Sequence, residues 1–231
     1  WAIMSVVGAA VFALLGYVDL DVLPWAHFWS SLCAMLAAAY ALAARPVYKR
    51  RDTMPHSEVA LAALCTAVTA AIACIMPLEL KREWISVAWA LLAPAVLVVH
   101  LRLRIDALAK IALLFAWLAA VRLLANPAVL DYPIGQTIVF NGLLYGYGVP
   151  AAAMALSAWL LVRAERDDNQ TTLYEVLAVI YSFVLIALEV RHGFHQPAYL
   201  GDTSQPFQLL EAATYPVGWL LLALALLGMN V

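Results

Sequence analysis

The sequence predicts an all-α, polytopic transmembrane helix bundle of seven or eight spans arranged in antiparallel hairpins. Two observations predict it. Of 231 residues, 66% are hydrophobic and 12% are charged, whereas soluble domains are about 45–50% apolar and about 25% charged. The apolar residues are also gathered into eight runs separated by short polar links, each run near the roughly 20 residues that a helix needs to cross a bilayer. The net charge of -2 says little, because what matters in such a chain is where the charges lie.

The runs fall at about 1–18, 25–44, 59–77, 84–101, 107–125, 138–162, 173–191 and 208–228. Short links between them make sequential neighbours antiparallel. The chain opens at Trp1 inside an apolar run, and Val231 follows closely on another. The first span is therefore expected to be truncated and the chain to be a piece of a longer protein.

Orientation follows from lysine and arginine, which collect on the cytoplasmic side. Arg45, Lys49, Arg50 and Arg51 join the second run to the third, Arg102, Arg104 and Lys110 the fourth to the fifth, and Arg163 and Arg166 the sixth to the seventh. Nine of the thirteen basic residues thus share one side. The expected setting is a bacterial inner membrane with these links in the cytoplasm. The links at 19–24, 79–83, 126–137 and 192–207 then face outward.

Two outward stretches echo each other. Val121-Arg122 precedes Asn126-Pro127-Ala128-Val129-Leu130, and Val190-Arg191 precedes Gln196-Pro197-Ala198-Tyr199-Leu200. Asn141-x-x-x-Tyr145 and Glu211-x-x-x-Tyr215 stand 70 residues apart. The pattern predicts a parallel hairpin repeat, with a first copy at 107–163 and a second at 173–229, after a four-span N-terminal part at 1–101. Parallel repeats occur in transporters, though not only there.

Polar residues inside the runs mark the candidate site. Arg122, Asn141, Glu189 and Glu211 each lie about one turn inside the outer end of a different span. An ionised side chain at the bilayer centre costs roughly 2.5–3.5 kcal/mol, so such groups pair or face a wet cavity. The expectation is an outward-facing polar pocket in which Arg122 pairs with Glu189 or Glu211. Separate snorkelling of each group to the headgroups is the competing reading. Arg122, Asn126, Asn141, Tyr145, Arg191, His195 and Glu211 are the candidate binding residues, and Glu189 and His192 the candidate acid and base.

Glu189-x-x-His192-x-x-His195 would put three ligands on one helical face. Gly193 is a natural helix stop, however, and no second Glu-x-x-His is present for a four-helix metal site. No metal and no cofactor is assigned. Histidine as base or proton carrier, or plain interfacial structure with Arg191 at a helix C-terminus, stays open.

Other features are read blandly. Gly146-Tyr147-Gly148 has the composition of a potassium-filter tripeptide but lacks a Thr-Val lead-in and runs on into Pro150-Ala151-Ala152-Ala153. Gly142-x-x-x-Gly146 reads as a close helix contact and Pro150 as a kink. Asp19-Leu20-Asp21 sits where membrane glycosyltransferases carry acidic pairs, but turn chemistry explains it equally. Cys33, Cys65 and Cys74 are packing residues, and His27, His56 and His100 receive no role. There is no folded basic surface for nucleic acid, and no phosphate-binding glycine motif.

Four segments together carry a family likeness: Glu83-Trp84 opening a span, Val121-Arg122-Leu123-Leu124-Ala125-Asn126-Pro127, the stretch from Asn141 to Ala151, and Leu188-Glu189-Val190-Arg191-His192-Gly193-Phe194-His195. In this order and spacing they resemble a large bacterial family of predicted membrane proteins of unknown function that thread the inner membrane many times. The likeness covers at least residues 80–228. It implies an internal segment with further spans of the parent chain on both sides, and it carries over no catalytic role.

Three functions remain open on the sequence. The leading one is an outward-facing pocket that binds or moves a polar envelope-related or small solute, with Arg122 taking an anionic or hydroxyl-rich group. The second is an enzyme that transfers or hydrolyses an envelope glycan or lipid group through Glu189 and His192. The third is a scaffold that anchors helices or a periplasmic or membrane partner. The cytoplasmic halves of the later spans look almost wholly apolar, which favours a one-sided pocket. The lipid bilayer is the one partner that composition demands.

Overall fold

A computed structural model describes residues 26–53, 56–80, 84–125, 134, 137, 140–165, 169–195 and 208–229. Among the described residues all regular structure is helical. The helices are α1 (Ala26–Lys49), α2 (Ser57–Glu79), α3 (Trp84–Leu103), α4 (Asp106–Ala125), α5 (Val149–Arg163, entered through a π turn at Leu144–Gly148), α6 (Asn169–His195) and α7 (Leu209–Met229). Seven helical segments of the described chain are long and apolar enough to cross a membrane. This is a membrane protein with several spans. The expected run at 1–18 lies outside the described residues, as do Asp19-Leu20-Asp21 and Asn126.

The chain divides into two compact units, residues 1–85 with 95–113, and residues 86–94 with 114–231. In the first, α1 and α2 form an antiparallel hairpin. The Ser30 hydroxyl near the start of α1 donates to the Glu79 carboxylate at the end of α2, which fixes that direction. Cys33 and Ala37, one turn apart, are buried on α1, and Leu61, Leu64 and Ala67 are buried on α2. Helical spacing gathers these small and branched side chains on one face. The hairpin turn closes with Ser57 Oγ donating to the Arg51 carbonyl at 2.7 Å, behind His56 in the left-handed region at φ 60°.

The turn from α3 into α4 is built by a histidine that sequence reasoning left without a role. His100 is fully buried and its Nδ1 lies 2.8 Å from the Ile105 carbonyl oxygen. That contact spans the sharp reversal at Arg104, where φ is 56°. A polar side chain in the last turn of a helix commonly satisfies such loose backbone groups.

In the second unit α5 and α6 are antiparallel neighbours, and α7 packs on α6. Alanines 116, 119 and 120 give α4 a small buried stripe here, which suits close approach where lipid offers helices no hydrophobic incentive to associate. Much of α7 is open, with Leu209, Leu210, Leu220, Leu221, Leu224 and Leu227 all exposed. In a bilayer these side chains meet lipid.

The glycine expectation resolves differently from the sequence reading. A Cβ built on Gly146 would meet nothing within 4 Å, so this glycine makes no close helix contact. The crowded glycines are Gly148, whose Cβ would lie 3.0 Å from Leu144 and 3.5 Å from Leu185, and Gly218, whose Cβ would lie 2.7 Å from Ile186. Gly218 is where α7 touches α6, beside a Phe183–Trp219 ring stack at 4.4 Å. Pro150 does not break its helix. The backbone before it widens into the π turn, which relieves the clash of the proline ring with the carbonyl four residues back.

Candidate functional site

Asn141 organises the start of the α5 segment. Its side-chain oxygen accepts from the backbone N–H groups of Leu143 at 2.8 Å and Leu144 at 3.1 Å, the N-cap arrangement. Its amide nitrogen donates to the Thr137 carbonyl at 3.3 Å and to Glu189 Oε2 at 2.8 Å. A residue buried to 3% exposure therefore spends all of its hydrogen-bonding capacity, and one of its bonds positions an acid on another helix. Ile134 and Leu143 pack beside it against Leu185 and Leu188.

Glu211, in the first turn of α7, is completely buried and surrounded. His195 Nε2 lies 2.7 Å from its Oε2, Arg191 Nη1 donates to Oε1 at 3.4 Å, and the Tyr215 hydroxyl donates to Oε1 at 3.0 Å. The Gln208 N–H reaches Oε2 at 3.5 Å. A buried carboxylate is tolerable only with this kind of saturation, and the N-terminus of a helix adds a favourable dipole.

α6 is the common strut. Glu189 reaches Asn141, whereas Arg191 and His195, one turn apart, reach Glu211 on α7. Because these partners hold its last turn, α6 runs straight through Gly193 to His195 instead of stopping at the glycine. The helical cost of one glycine, about 1 kcal/mol, is smaller than the value of two charge-assisted contacts to a buried acid.

His192 differs from its neighbours. It is 1% exposed and neither ring nitrogen has a hydrogen-bond partner among the described residues. Glu189, three residues earlier on the same side of the helix, keeps a buried Oε1 that also lacks one. The two acids are held by contacts from nearby elements: Asn141 on Glu189, and Arg191, His195 and Tyr215 on Glu211. Arg122 lies half-buried in the last turn of α4. Tyr145 is 45% exposed and lines an apolar groove of about 380 Å³ with Leu91, Gly148 and Leu156. Among the described residues, no three metal-ligating side chains converge, since Glu189 turns to Asn141 and His195 to Glu211.

Sequence reasoning missed Thr171, Ser157, Tyr174 and Tyr181, all buried in the part of the α5–α6 pair remote from Glu189. In a hydropathy reading tyrosine and serine blend into an apolar run. The spacing of Thr171, Tyr174 and Tyr181 on the buried face of α6 was the available signal.

No curated protein and no solved structure matches the chain. Residues 99–231 match the family model described as Predicted membrane protein (DUF2339), and the chain belongs to that family.

Proposed function

We propose that the later hairpins build a membrane-embedded site for a polar solute, at the outer face of a bacterial inner membrane whose cytoplasmic side carries the basic links. One observation carries the reading: the buried imidazole of His192 and the Oε1 of Glu189, three residues earlier on α6, have no hydrogen-bond partner among the described residues. A buried polar atom without a partner costs about 1–3 kcal/mol, and a bound hydroxyl-bearing group would remove that cost. The unfilled capacity is one carboxylate oxygen and an imidazole that both donates and accepts. It suits a hydroxyl-rich envelope-related or small solute.

In this reading Glu189 and His192 touch the solute and Asn141 positions Glu189. Arg191, His195, Glu211 and Tyr215 hold the wall formed by α6 and α7. Arg122 and Tyr145 belong to the rim, and Asn126, outside the described residues, stays a proposed binding residue from the sequence. The hairpins 107–163 and 173–229 act as two copies of one unit. Each places a polar residue, Asn141 or Glu211, at the head of its second helix for a side chain of α6 to meet.

The test is thermal unfolding of the purified chain in detergent with glucose, N-acetylglucosamine or glycerol added. Binding should raise Tm in the parent protein and leave it unchanged in Glu189→Gln and His192→Ala. The same placement of acid and base favours, second, transfer or hydrolysis of an envelope glycan or lipid group. That reading requires turnover of a lipid-linked sugar which both substitutions abolish. If neither substitution alters binding or turnover, the polar belt is a scaffold and the site reading fails.

A further inference from the structure

One buried face of α6 carries polar groups along most of its length. Tyr174, Tyr181 and His192 are separated by 7 and 11 residues, spacings that return to within about 20° of one line at 3.6 residues per turn. All three are at most 1% exposed, and their hydroxyls and ring nitrogens have no hydrogen-bond partner among the described residues.

The facing helix fills the intervals. Asn141 bonds to Glu189, and Gly148 lies against Leu185, which together set the antiparallel register. That register puts buried Tyr147 near the level of Leu185 and buried Ser157 near the level of Tyr174. Tyr147 donates to the Leu123 carbonyl at 3.0 Å and Ser157 to the Ala153 carbonyl at 2.8 Å. Each hydroxyl still has lone pairs to accept with.

Polar levels therefore recur at Tyr174, Tyr181, Tyr147, Glu189 and His192, with no step longer than 7 residues of α6, about 10 Å. From Tyr174 to His192 is 18 residues, about 27 Å, against a hydrocarbon core of about 30 Å. Hydroxyls without partners at this depth are expensive, and phenylalanine would pack equally well without that cost. Buried water with two to four polar partners is the usual remedy.

We propose that the seam between α5 and α6 holds a file of water that carries protons across the membrane, with Glu189 and His192 as its terminal acid–base pair. Each hydroxyl or water accepts a proton on a lone pair and releases another to the next. The line returns to its starting composition when one proton has crossed, and the transmembrane pH or voltage difference supplies the drive. The inference shares Glu189 and His192 with the solute site but needs no solute.

The experiment reconstitutes the full chain in phosphatidylcholine–phosphatidylglycerol vesicles loaded with a pH-sensitive dye and imposes a potassium–valinomycin potential. Proton entry should exceed that of protein-free vesicles. It should fall about tenfold, equivalent to about 1.4 kcal/mol on the barrier, in Tyr181→Phe and in Tyr174→Phe. Both changes keep the ring and remove only an unsatisfied hydroxyl, and unchanged helicity and gel-filtration profile confirm the fold. Entry equal to that of empty vesicles, or undiminished in both variants, overturns the proposal. Flux lost in Tyr181→Phe with the thermal response to sugar retained supports it. Flux present with no thermal response to any sugar sinks the solute reading alone.

Discussion

Glu211 is the residue on which the α6–α7 contact turns. Removing one member of a buried, hydrogen-bonded charge group is destabilising by about 3–5 kcal/mol, because the partners stay behind unpaired. Glu211→Ala strands His195, Arg191 and Tyr215 together. Its Tm in detergent should drop well below that of Glu211→Gln, whose amide oxygen can still accept from Tyr215 while its NH2 donates to a neutral His195. Asn141→Ala is expected to cost about 1 kcal/mol for the lost cap, and more because Glu189 Oε2 then joins Oε1 without a partner. Asn141→Asp keeps the cap but sets a second carboxylate 2.8 Å from the first, so it should be worse than alanine when both are measured by thermal unfolding near neutral pH. His100 was invisible to sequence reasoning for a physical reason. Its partner is the Ile105 carbonyl, a backbone atom present at every residue, so no side-chain pattern announces the pair.

Among the elements, α6 does most of the joining. Asn141 and Glu211 are both legible as polar residues inside apolar runs, but the choice of partner is not. The sequence offered no sign that Asn141 would hold Glu189, or that Arg191 with His195 would hold Glu211. The helix extends to His195 because tertiary contacts outweigh the local preference of Gly193 to end it. Glycines show the same limit: Gly142-x-x-x-Gly146 had the right spacing for a close contact, whereas the crowding lies at Gly218 against Ile186. Adding volume at such a position costs about 1–3 kcal/mol. Gly218→Leu should separate α7 from α6, uncouple the Phe183–Trp219 stack, and be read as a shift in tryptophan fluorescence with a lowered Tm. Gly146→Ala, with open space around it, should leave both readings unchanged or raise Tm slightly.

For the whole molecule, topology makes the next expectation. The basic links at the α1–α2, α3–α4 and α5–α6 connections share one face if every helix crosses the bilayer. Cysteines placed at Thr53 and Glu165 should therefore react with a membrane-impermeant maleimide only from the cytoplasmic side of oriented vesicles. Cysteines at Leu80 and Gln208 should react only from the other. Labelling of Thr53 and Leu80 positions from the same side would mean that α2 does not cross, and the outward placement of Glu189 and Glu211 would fall with it.

Length and hydropathy act along the chain, and membrane insertion reads little else. For that reason the number of described spans, their approximate limits and the family likeness were all open to sequence reasoning. The facing of each helix was decided only by packing. In a span every side of the cylinder is apolar, lipid is as good a neighbour for leucine as another leucine, and so the hydrophobic pattern carries almost no directional signal. Direction came instead from contacts between residues far apart in sequence: a carboxylate needing four donors, a glycine admitting Ile186, and an asparagine filling its last two valences on Thr137 and Glu189.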